Sequence, residues 1–247
     1  MAKMYGLVGY PLSHSFSKKY FEDKFLREGL AEHYYELFEI RDIEEVHDVI
    51  ENNPNLIGLN VTIPYKESII PLLDHLDESA NLVGAVNVIK IQNKALTGYN
   101  TDFFGFESSL LSWLPQNIEA LSAVILGTGG AAKAVEAVLK SSKIPYKLIS
   151  RRKTVNTLTY DELNASSIVA ENKLIINTSP LGMSPKIDVC PDIAYNQINN
   201  EHYVFDLIYN PAETKFLRNA DSQGAMVKNG LEMLQLQAEK SWEIWSS

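Results

Sequence analysis

A glycine-rich segment follows a short apolar run and has the residue spacing of a phosphate-binding loop. Residues 123–126 are Ala-Val-Ile-Leu, and Gly127, Gly129 and Ala132 then match the pattern G-x-G-x-x-A. The first glycine permits a tight turn, the second lets a pyrophosphate approach the backbone, and the third small residue lets helix and strand pack closely. Glycine turns without ligands are common, but a strand before the loop and a helix and strand after it favour a dinucleotide whose phosphates face the helix N-terminus.

The end of the next predicted strand, 146–150, indicates which dinucleotide binds. A site for NAD places an acidic residue about 20 positions after the loop, where it binds the ribose hydroxyls. Here no Asp or Glu occurs between Glu136 and Asp161. In their place stand Ser150, Arg151, Arg152 and Lys153. Because a planar guanidinium matches phosphate geometry, this cluster predicts a 2′-phosphate and therefore NADP; the alternative is a solvated basic turn.

Redox chemistry at an alcohol also needs a proton carrier, because the nicotinamide carries only the hydride. Lys66 follows a predicted strand that bears Asn60 and Thr62, and Asp102 follows the strand predicted at 94–99. A partly desolvated lysine beside an aspartate could exchange a proton with a substrate oxygen. Charged residues at the start of a loop are more often simply solvated, so both interpretations stay open.

Alternating extended and helical patterns must position these residues, and this alternation predicts an α/β fold. The strands are predicted at 5–9, 34–38, 56–63, 83–91, 94–99, 123–126, 146–150, 173–177 and 202–209. The strands at 83–91 and 94–99 should meet at an Asn93-Lys94 turn. Helices are predicted at 102–113 and after the glycine loop, and a further one should begin with Asn210 as N-cap and Pro211 at the first helical position.

Two domains are the simplest division of this pattern. Residues 102–230 form the dinucleotide unit, and residues 1–101 form a second α/β unit. The final helix lies within 231–247 and has one apolar stripe, made of Leu231, Leu234, Ala238, Trp242 and Trp245. Periodicity alone does not decide which domain this stripe contacts.

Composition argues against several classes of function. The net charge of −9 over 247 residues disfavours nucleic acid as a partner, because binding a run of phosphates needs clustered cations. The single cysteine, Cys190, cannot form an intramolecular disulfide or a thiolate cluster, and the five histidines lack metal-binding spacing. With no signal-peptide pattern and no apolar stretch of about 18 residues, we expect a cytoplasmic protein without metal or membrane contact.

Further segments, in this order along the chain, resemble the shikimate dehydrogenase family. They are SHSFS (13–17), NVTIPYK (60–66), GAVN (84–87), GYNTD (98–102), the glycine loop, NTSPLGM (177–183), DLIYNP (206–211), NGLEML (229–234) and QA (237–238). The resemblance covers essentially the whole chain. It implies an N-terminal α/β substrate domain, a Rossmann-like dinucleotide-binding domain, and a final helix, 231–247, that returns to the first domain. The implied activity is the reversible NADPH-dependent reduction of 3-dehydroshikimate to shikimate, by a monomer or homodimer.

The resemblance also implies roles for individual residues at the substrate. Lys66 corresponds to the catalytic lysine, which exchanges a proton with the C3 oxygen beside Asp102. The residues implied to bind substrate are Ser15 and Ser17 at the carboxylate, Asn60, Thr62, Lys66, Asn87 and Asp102 around the ring, and Tyr209 and Gln237. One of the two serines could instead cap the helix that follows.

The implied cofactor contacts lie in the second domain. They are Gly127, Thr128, Gly129, Gly130, Ala131, Ser150, Arg151, Arg152, Thr178, Leu207, Gly230 and Met233, the last two near the nicotinamide. Thr128 and Ser150 replace a frequent alanine and a frequent asparagine of the family, and each could alter cofactor affinity.

Two alternatives remain beside the main prediction. A quinate/shikimate dehydrogenase would tolerate NAD and the extra C1 hydroxyl of quinate. The missing acid after the second strand and the Ser15/Ser17 pair argue against it. A non-catalytic NADPH-binding regulator would have no need of an intact Lys66 and Asp102.

Overall fold

The computed structural model describes residues 2–12, 16–115 and 121–247, which divide into two compact units. The first unit comprises Met1–Thr101 and Ala238–Ser247, and the second comprises Asp102–Gln237. Both units combine helices with a β-sheet, so the α/β prediction is confirmed. Among the helices of the described residues, none is long and apolar enough to cross a membrane.

The first unit is built on a mixed sheet, in which six strands of the described residues pair in the order β2-β1-β3-β5-β6-β4. These strands are β1 Lys3–Gly9, β2 His33–Glu39, β3 Leu56–Val61, β4 His75–Leu76, β5 Val88–Gln92 and β6 Ala95–Tyr99. Strand β1 runs parallel to β2 and β3, whereas β5 runs antiparallel to β3 and β6. Asn93 and Lys94 have φ of 54° and 68°, the left-handed pair that a two-residue hairpin requires, so the predicted turn is confirmed.

Helices and short 3₁₀ turns connect the described strands of the first unit. They are α1 Phe16–Arg27, α2 Val46–Asn52 and α3 Glu78–Val83, with short 3₁₀ turns at Ile43–Glu45 and Ile70–Leu72. The strand predicted at 83–91 is wrong in its first five residues. The Asp77 carboxylate accepts a hydrogen bond from the Ser79 N–H and starts α3, and Gly84 ends it with φ of 68°. Strand β5 therefore begins only at Val88.

The second unit contains a sheet in which every neighbouring pair of described strands is parallel. Its elements, with the helices that enter and leave it, are α4 Thr101–Trp113, β7 Ala123–Leu126, α5 Gly130–Ser141, β8 Tyr146–Ser150, β9 Thr157–Thr159, α6 Tyr160–Asn164, α7 Ile168–Glu171, β10 Leu174–Asn177, a 3₁₀ turn Tyr195–Gln197, β11 Tyr203–Asp206, α8 Lys215–Asp221, β12 Met226–Asn229 and α9 Leu231–Ser246. The strand order is β12-β11-β10-β7-β8-β9. This is the doubly wound Rossmann order, which reverses between β7 and β10 and opens a crevice at their carboxyl ends.

Strand β7 is buried on both faces, as expected for a central parallel strand. Ala123 and Ile125 pack into the core on one side, and Val124 and Leu126 pack into the core on the other. Helix α5 covers the first of these cores with Val135, Val138 and Leu139. The helix predicted after the glycine loop is therefore confirmed.

Helix α8 begins four residues later than the sequence predicted. Its N-cap is Thr214, whose hydroxyl accepts a hydrogen bond from the Leu217 N–H at 3.3 Å. The same hydroxyl donates to the Asp206 carboxylate, which fixes the cap in place. Asn210 and Pro211 lie in the preceding turn, so the predicted cap at Asn210 is wrong.

The last helix, α9, contributes to the cores of both units in turn. Met233 packs with Phe106 in the second unit, and Ala238 and Trp245 pack with Tyr5 and Phe21 in the first. The prediction assigned all of 231–247 to the first domain, but the residues before Ala238 group with the second unit. The apolar stripe is shared because its first turn faces α4, where Gly105 lies against the Met233 carbonyl.

Candidate active site and cofactor pocket

The glycine loop leaves β7 through a backbone conformation that only glycine adopts readily. Gly127 has φ of 121°, and its N–H donates to the Ile149 carbonyl at 2.9 Å. A Cβ at this position would lie 2.7 Å from the Thr178 hydroxyl. Gly129 follows as the N-cap of α5 and has no side chain to cap the helix. A Cβ added there would meet no described atom within 4 Å, so a phosphate has room at the helix N-terminus.

A pocket of about 350 Å³ opens at this loop, on the crevice predicted by the strand order. It is lined by Gly127, Thr128, Gly129, Ile149, Ser150, Arg151, Tyr160, Thr178, Ser179, Pro180 and Leu181. The structure thus brings together six of the twelve predicted cofactor residues: Gly127, Thr128, Gly129, Ser150, Arg151 and Thr178. Their backbone amides, hydroxyls and guanidinium are the groups that a phosphorylated dinucleotide needs.

The cationic edge of this pocket is provided by the end of β8. Arg151 and Arg152 are exposed, and the Ser150 hydroxyl accepts a hydrogen bond from the Arg152 N–H at 3.3 Å. Lys153 instead forms an ion pair with Glu162, which holds the pKa of that carboxyl below its ordinary value. The guanidinium of Arg151 is therefore the charge presented to the pocket. Burial raises the pKa of Tyr160, which lines the same pocket, and the charge of Arg151 opposes this shift without overcoming it.

The remaining cofactor candidates lie elsewhere in the second unit. Of the described residues that line the pocket, none is Leu207, Gly230 or Met233. Gly230 is in close contact with Leu207, since a Cβ on Gly230 would lie 2.0 Å from the Leu207 carbonyl oxygen. Met233 is buried. Their contact with a nicotinamide stays a prediction, as do contacts of Gly130, Ala131 and Arg152 with the cofactor.

In the first unit, the segment that carries Thr62 and Lys66 is held at several points by the backbone. The Thr62 N–H donates to the Val8 carbonyl at 2.9 Å, and the Val86 N–H donates to the Lys66 carbonyl at 2.7 Å. Between them, the buried Tyr65 donates its hydroxyl to the Ile40 carbonyl at 2.8 Å. The half-buried side chain of Lys66 therefore extends from a fixed backbone.

Asn60 and Asn87 belong to one buried polar network. The Asn60 side-chain oxygen accepts from the Tyr35 hydroxyl at 2.7 Å, and its amide donates to the Ser241 hydroxyl at 3.3 Å. The Asn87 side-chain oxygen accepts a hydrogen bond from the Thr101 N–H at 2.7 Å, and the Asn87 amide donates to the Thr101 hydroxyl at 3.0 Å. The hydroxyl oxygens of Ser241 and Thr101 are hydrogen-bonded at 3.2 Å, and this bond connects the Asn60 and Asn87 parts of the network. Burial raises the pKa of Tyr35 far above its ordinary value, so its hydroxyl stays protonated as a donor.

Of the predicted carboxylate-binding serines, Ser17 joins this network and Ser15 lies outside the described residues. Ser17 is on the first turn of α1, and its hydroxyl donates to the Tyr35 hydroxyl. Ser17, Tyr35 and Asn60 therefore form a continuous path of hydrogen bonds. Sequence analysis missed Tyr35, because a tyrosine in an apolar strand gives no sign of what its hydroxyl contacts.

Three further candidates lie in the second unit. Asp102 is half-buried in the first turn of α4, where a carboxylate is favoured by the helix dipole. The Gln237 amide donates to the Leu234 carbonyl at 3.0 Å. Tyr209 follows β11, and burial raises the pKa of its hydroxyl. The binding roles of these residues, and the pairing of Asp102 with Lys66, stay predictions.

Sequence analysis also missed Tyr160 and Ser179, which line the cofactor pocket. Tyr160 is placed by the parallel pairing of β8 with β9, in which Ser150 lies opposite Thr159. The next residues, Arg151 and Tyr160, therefore leave the sheet side by side. Predicting this position of Tyr160 would have required recognising strand β9, whose three residues are too few to show a periodic pattern.

The glycine loop, the parallel sheet with its reversed strand order and the cationic strand end define a Rossmann-like dinucleotide-binding protein. Comparison with known proteins specifies its family. Residues 7–89 match the family model described as the shikimate dehydrogenase substrate binding domain. The chain is 38% identical over 255 residues to the shikimate dehydrogenase (NADP(+)) of Clostridium beijerinckii, covering 98% of this chain and 92% of that relative.

Solved structures agree with these matches. A crystal structure of shikimate dehydrogenase 1 from Peptoclostridium difficile has a TM-score of 0.83 at 38% identity, covering 99% of this chain and 91% of that one. A shikimate dehydrogenase in complex with NADP⁺ has a TM-score of 0.85 at 33% identity, with 99% and 90% covered. The chain belongs to the shikimate dehydrogenase family.

Proposed function

We propose that this protein is an NADP-dependent shikimate dehydrogenase, which catalyses the reversible reduction of 3-dehydroshikimate to shikimate in the chorismate pathway of aromatic amino-acid synthesis. The observation that carries this proposal is the similarity over 98% of the chain to a relative that bears this activity in its name. We also propose that it acts in the cytoplasm, as a monomer or homodimer.

The described pocket of the second unit fits the phosphates of NADP. Gly127 and Gly129 leave room for a pyrophosphate at the N-terminus of α5, and Arg151 supplies a guanidinium for a 2′-phosphate. When bound, the cofactor supplies or accepts the hydride at its nicotinamide. We assign the other cofactor contacts to Thr128, Gly130, Ala131, Ser150, Arg152, Thr178, Leu207, Gly230 and Met233.

The proton is assigned to Lys66, with Asp102 as its acidic partner. In the reduction, the Lys66 ammonium donates a proton to the C3 oxygen, and in the oxidation the neutral amine removes it. Support comes from the family motif around Lys66 and from the backbone hydrogen bonds that fix its position.

The substrate is assigned to side chains that can orient a carboxylate and a polyhydroxylated ring. Hydroxyls of Ser15 and Ser17 hold the carboxylate as neutral donors, for which the Ser17 hydroxyl exchanges its bond to Tyr35 for one to the substrate. The remaining contacts are assigned to Asn60, Thr62, Asn87, Tyr209 and Gln237. The buried network of Tyr35, Asn60 and Ser241 supports the assignment of Asn60, because it orients the Asn60 amide before a ligand arrives.

The test is an assay of the purified protein with shikimate or quinate, each with NADP⁺ or NAD⁺. We expect efficient turnover only with shikimate and NADP⁺, seen as absorbance of the reduced cofactor. Comparable kcat/KM with quinate and NAD⁺ would identify a quinate/shikimate dehydrogenase instead. Cofactor binding without turnover of either substrate would identify a non-catalytic regulator.

A further inference from the structure

Asp206 is a buried carboxylate that the proposed chemistry leaves without a role. It ends β11, and its side chain is fully buried. One carboxylate oxygen accepts from the Asn177 amide at 2.9 Å and from the Ile208 N–H at 3.1 Å. The other accepts from the Thr214 hydroxyl at 2.6 Å. All three partners donate, so the site is built around a carboxylate that accepts.

The bond to Asn177 connects Asp206 with the cofactor pocket. The Asn177 side-chain oxygen accepts from the Ser179 N–H at 3.0 Å and from the Ser179 hydroxyl at 2.7 Å. The Ser179 hydroxyl in turn accepts from the Leu181 N–H at 3.4 Å. Ser179 and Leu181 both line the pocket. A path of hydrogen bonds therefore runs from the buried carboxylate to the pocket wall.

The direction in which the Asn177 amide points is set by Asp206. An amide has a donor end and an acceptor end, and only its NH₂ can face a carboxylate. With the NH₂ facing Asp206, the oxygen faces Ser179 and accepts its two donors. The reversed amide would present NH₂ to the Ser179 N–H and leave both half-buried donors without their acceptor, which is costly.

The bond to Thr214 serves a different purpose. The Thr214 hydroxyl caps α8 by accepting from the Leu217 N–H. Neither Thr214 nor Leu217 lines the cofactor pocket within the described part of the chain. One oxygen of Asp206 therefore supports the pocket wall through Asn177, and the other supports the helix cap through Thr214. Variants can separate an effect on cofactor binding from an effect on the stability of α8.

We propose that Asp206 is a positioning residue of the cofactor pocket: it orients the Asn177 amide, which holds the segment from Ser179 to Leu181 in the shape that receives the dinucleotide. The proposal rests on the proposed function, since it takes the occupant of this pocket to be NADP. Asp206 itself touches neither cofactor nor substrate.

The experiment measures NADPH affinity directly, by the fluorescence of the bound cofactor, together with KM for NADP⁺, KM for shikimate and kcat. In Asp206→Ala the Asn177 amide loses its orientation, so we expect Kd for NADPH and KM for NADP⁺ to rise about tenfold, while kcat and KM for shikimate stay within about twofold. Asp206→Asn keeps an oxygen for Asn177 and Ile208, and its NH₂ can donate to Thr214, so we expect near-normal binding.

Thr214→Val is the matched control, because it removes the helix cap and leaves the bond to Asn177. We expect a lower melting temperature and an unchanged Kd for NADPH. If Thr214→Val weakens NADPH binding as much as Asp206→Ala, or if Asp206→Ala binds normally, the proposal is overturned.

Asn177→Ala removes the amide that connects Asp206 with Ser179, and it provides a second test even if Asp206→Ala does not fold. It should weaken NADPH binding to a similar degree, and normal binding would overturn the proposal. A wild-type protein that does not bind NADPH would instead contradict the proposed function, so the two failures are distinguishable.

Discussion

At the scale of single residues, the proposed proton transfer depends on the amine of Lys66. Replacing Lys66 by Ala should lower kcat by about 10²–10⁴-fold, the usual contribution of general acid–base catalysis, and change KM for shikimate much less. Backbone hydrogen bonds at the Lys66 carbonyl and the Thr62 N–H hold the segment, and the substitution keeps them, so the variant should fold. Steady-state kinetics with shikimate and NADP⁺ provide the measurement.

The control for this variant is Glu67→Ala, which removes an exposed charge from the neighbouring position. It should leave kcat within about twofold of the wild type. A Lys66→Ala enzyme with near-normal kcat would reject the assigned role of the amine.

Arg151 should discriminate between the two dinucleotides. Its guanidinium lines the pocket and, unlike Lys153, which pairs with Glu162, faces the space for a 2′-phosphate. Arg151→Ala should raise KM for NADP⁺ by about tenfold or more and change KM for NAD⁺ little, because only NADP⁺ has the phosphate. Lys147→Ala removes an exposed positive charge from the other end of the same strand and should affect neither. Equal increases in both KM values would show that Arg151 does not bind the 2′-phosphate.

The sequence was most informative where one residue type meets a steric or electrostatic demand. Gly127 and Arg151 were predicted to be cofactor residues from their type and spacing alone, and the structure brings both to one pocket. Tyr35, Tyr160 and Asp206 were not assigned roles, because their importance depends on partners distant in sequence. A hydroxyl or carboxylate has the same identity in the sequence whether it faces solvent or a buried network.

At the scale of elements, long apolar patterns predicted strands well. Short strands were missed, and element boundaries set by helix caps were misplaced. Strands β9 and β12 were missed, since Thr157–Thr159 and Met226–Asn229 are short and partly polar. Residues 83–87 were predicted to be extended, but the Asp77 cap and the left-handed Gly84 shift the balance toward a helical turn. The start of α8 was misplaced because Thr214 acts as a cap only with the distant Asp206 as its partner.

The turn between β7 and α5 allows stability and cofactor binding to be tested separately. Gly127→Ala should destabilise the protein by about 1–3 kcal/mol, because φ of 121° strains any side chain and its Cβ would lie 2.7 Å from the Thr178 hydroxyl. Gly129 has φ of −81° and open space, so Gly129→Ala should cost no more than about 0.5–1 kcal/mol, the preference of an N-cap for glycine over alanine. Its methyl group would instead occupy the space for the pyrophosphate and raise KM for NADP⁺.

Urea denaturation and cofactor kinetics of both variants check this contrast. Gly129→Ala should lose less stability than Gly127→Ala and still bind NADP⁺ weakly. If its KM for NADP⁺ is normal, the pyrophosphate does not approach Gly129. If Gly127→Ala is fully stable, the strain argument for this turn is wrong.

At the scale of the whole molecule, the sequence predicted the α/β class of the two units better than the distribution of the last helix. Alternating strands and helices around a glycine loop predicted an α/β dinucleotide unit, and the order β12-β11-β10-β7-β8-β9 is the strand order of such a unit. The apolar stripe of α9 was visible, but its division between two cores depends on Phe106 for Met233 and on Tyr5 and Phe21 for Trp245. Periodicity shows that a face is buried and carries no information on its partner.

The free energy of unfolding should depend on pH through the buried carboxyl group of Asp206. Burial raises the pKa of Asp206 from 3.8 to about 6, although its three hydrogen bonds act in the opposite direction. The folded protein thus holds the Asp206 proton more tightly than the unfolded chain does. This stabilising contribution is complete below about pH 4 and is lost as the pH rises through about 6, a change of roughly 3 kcal/mol.

Comparison with Asp206→Asn isolates this contribution, because the amide does not titrate. The free energy of unfolding of the variant minus that of the wild type should increase by roughly 2.4 kcal/mol between about pH 4 and pH 7, measured by urea denaturation. Burial lowers the pKa of the His202 ring, so His202 makes the folded protein more stable as the pH rises. Because His202 is present in both proteins, its contribution cancels in the difference. A difference that stays constant across this range would show that Asp206 ionises as readily in the folded protein as in water, and that burial does not dominate its environment.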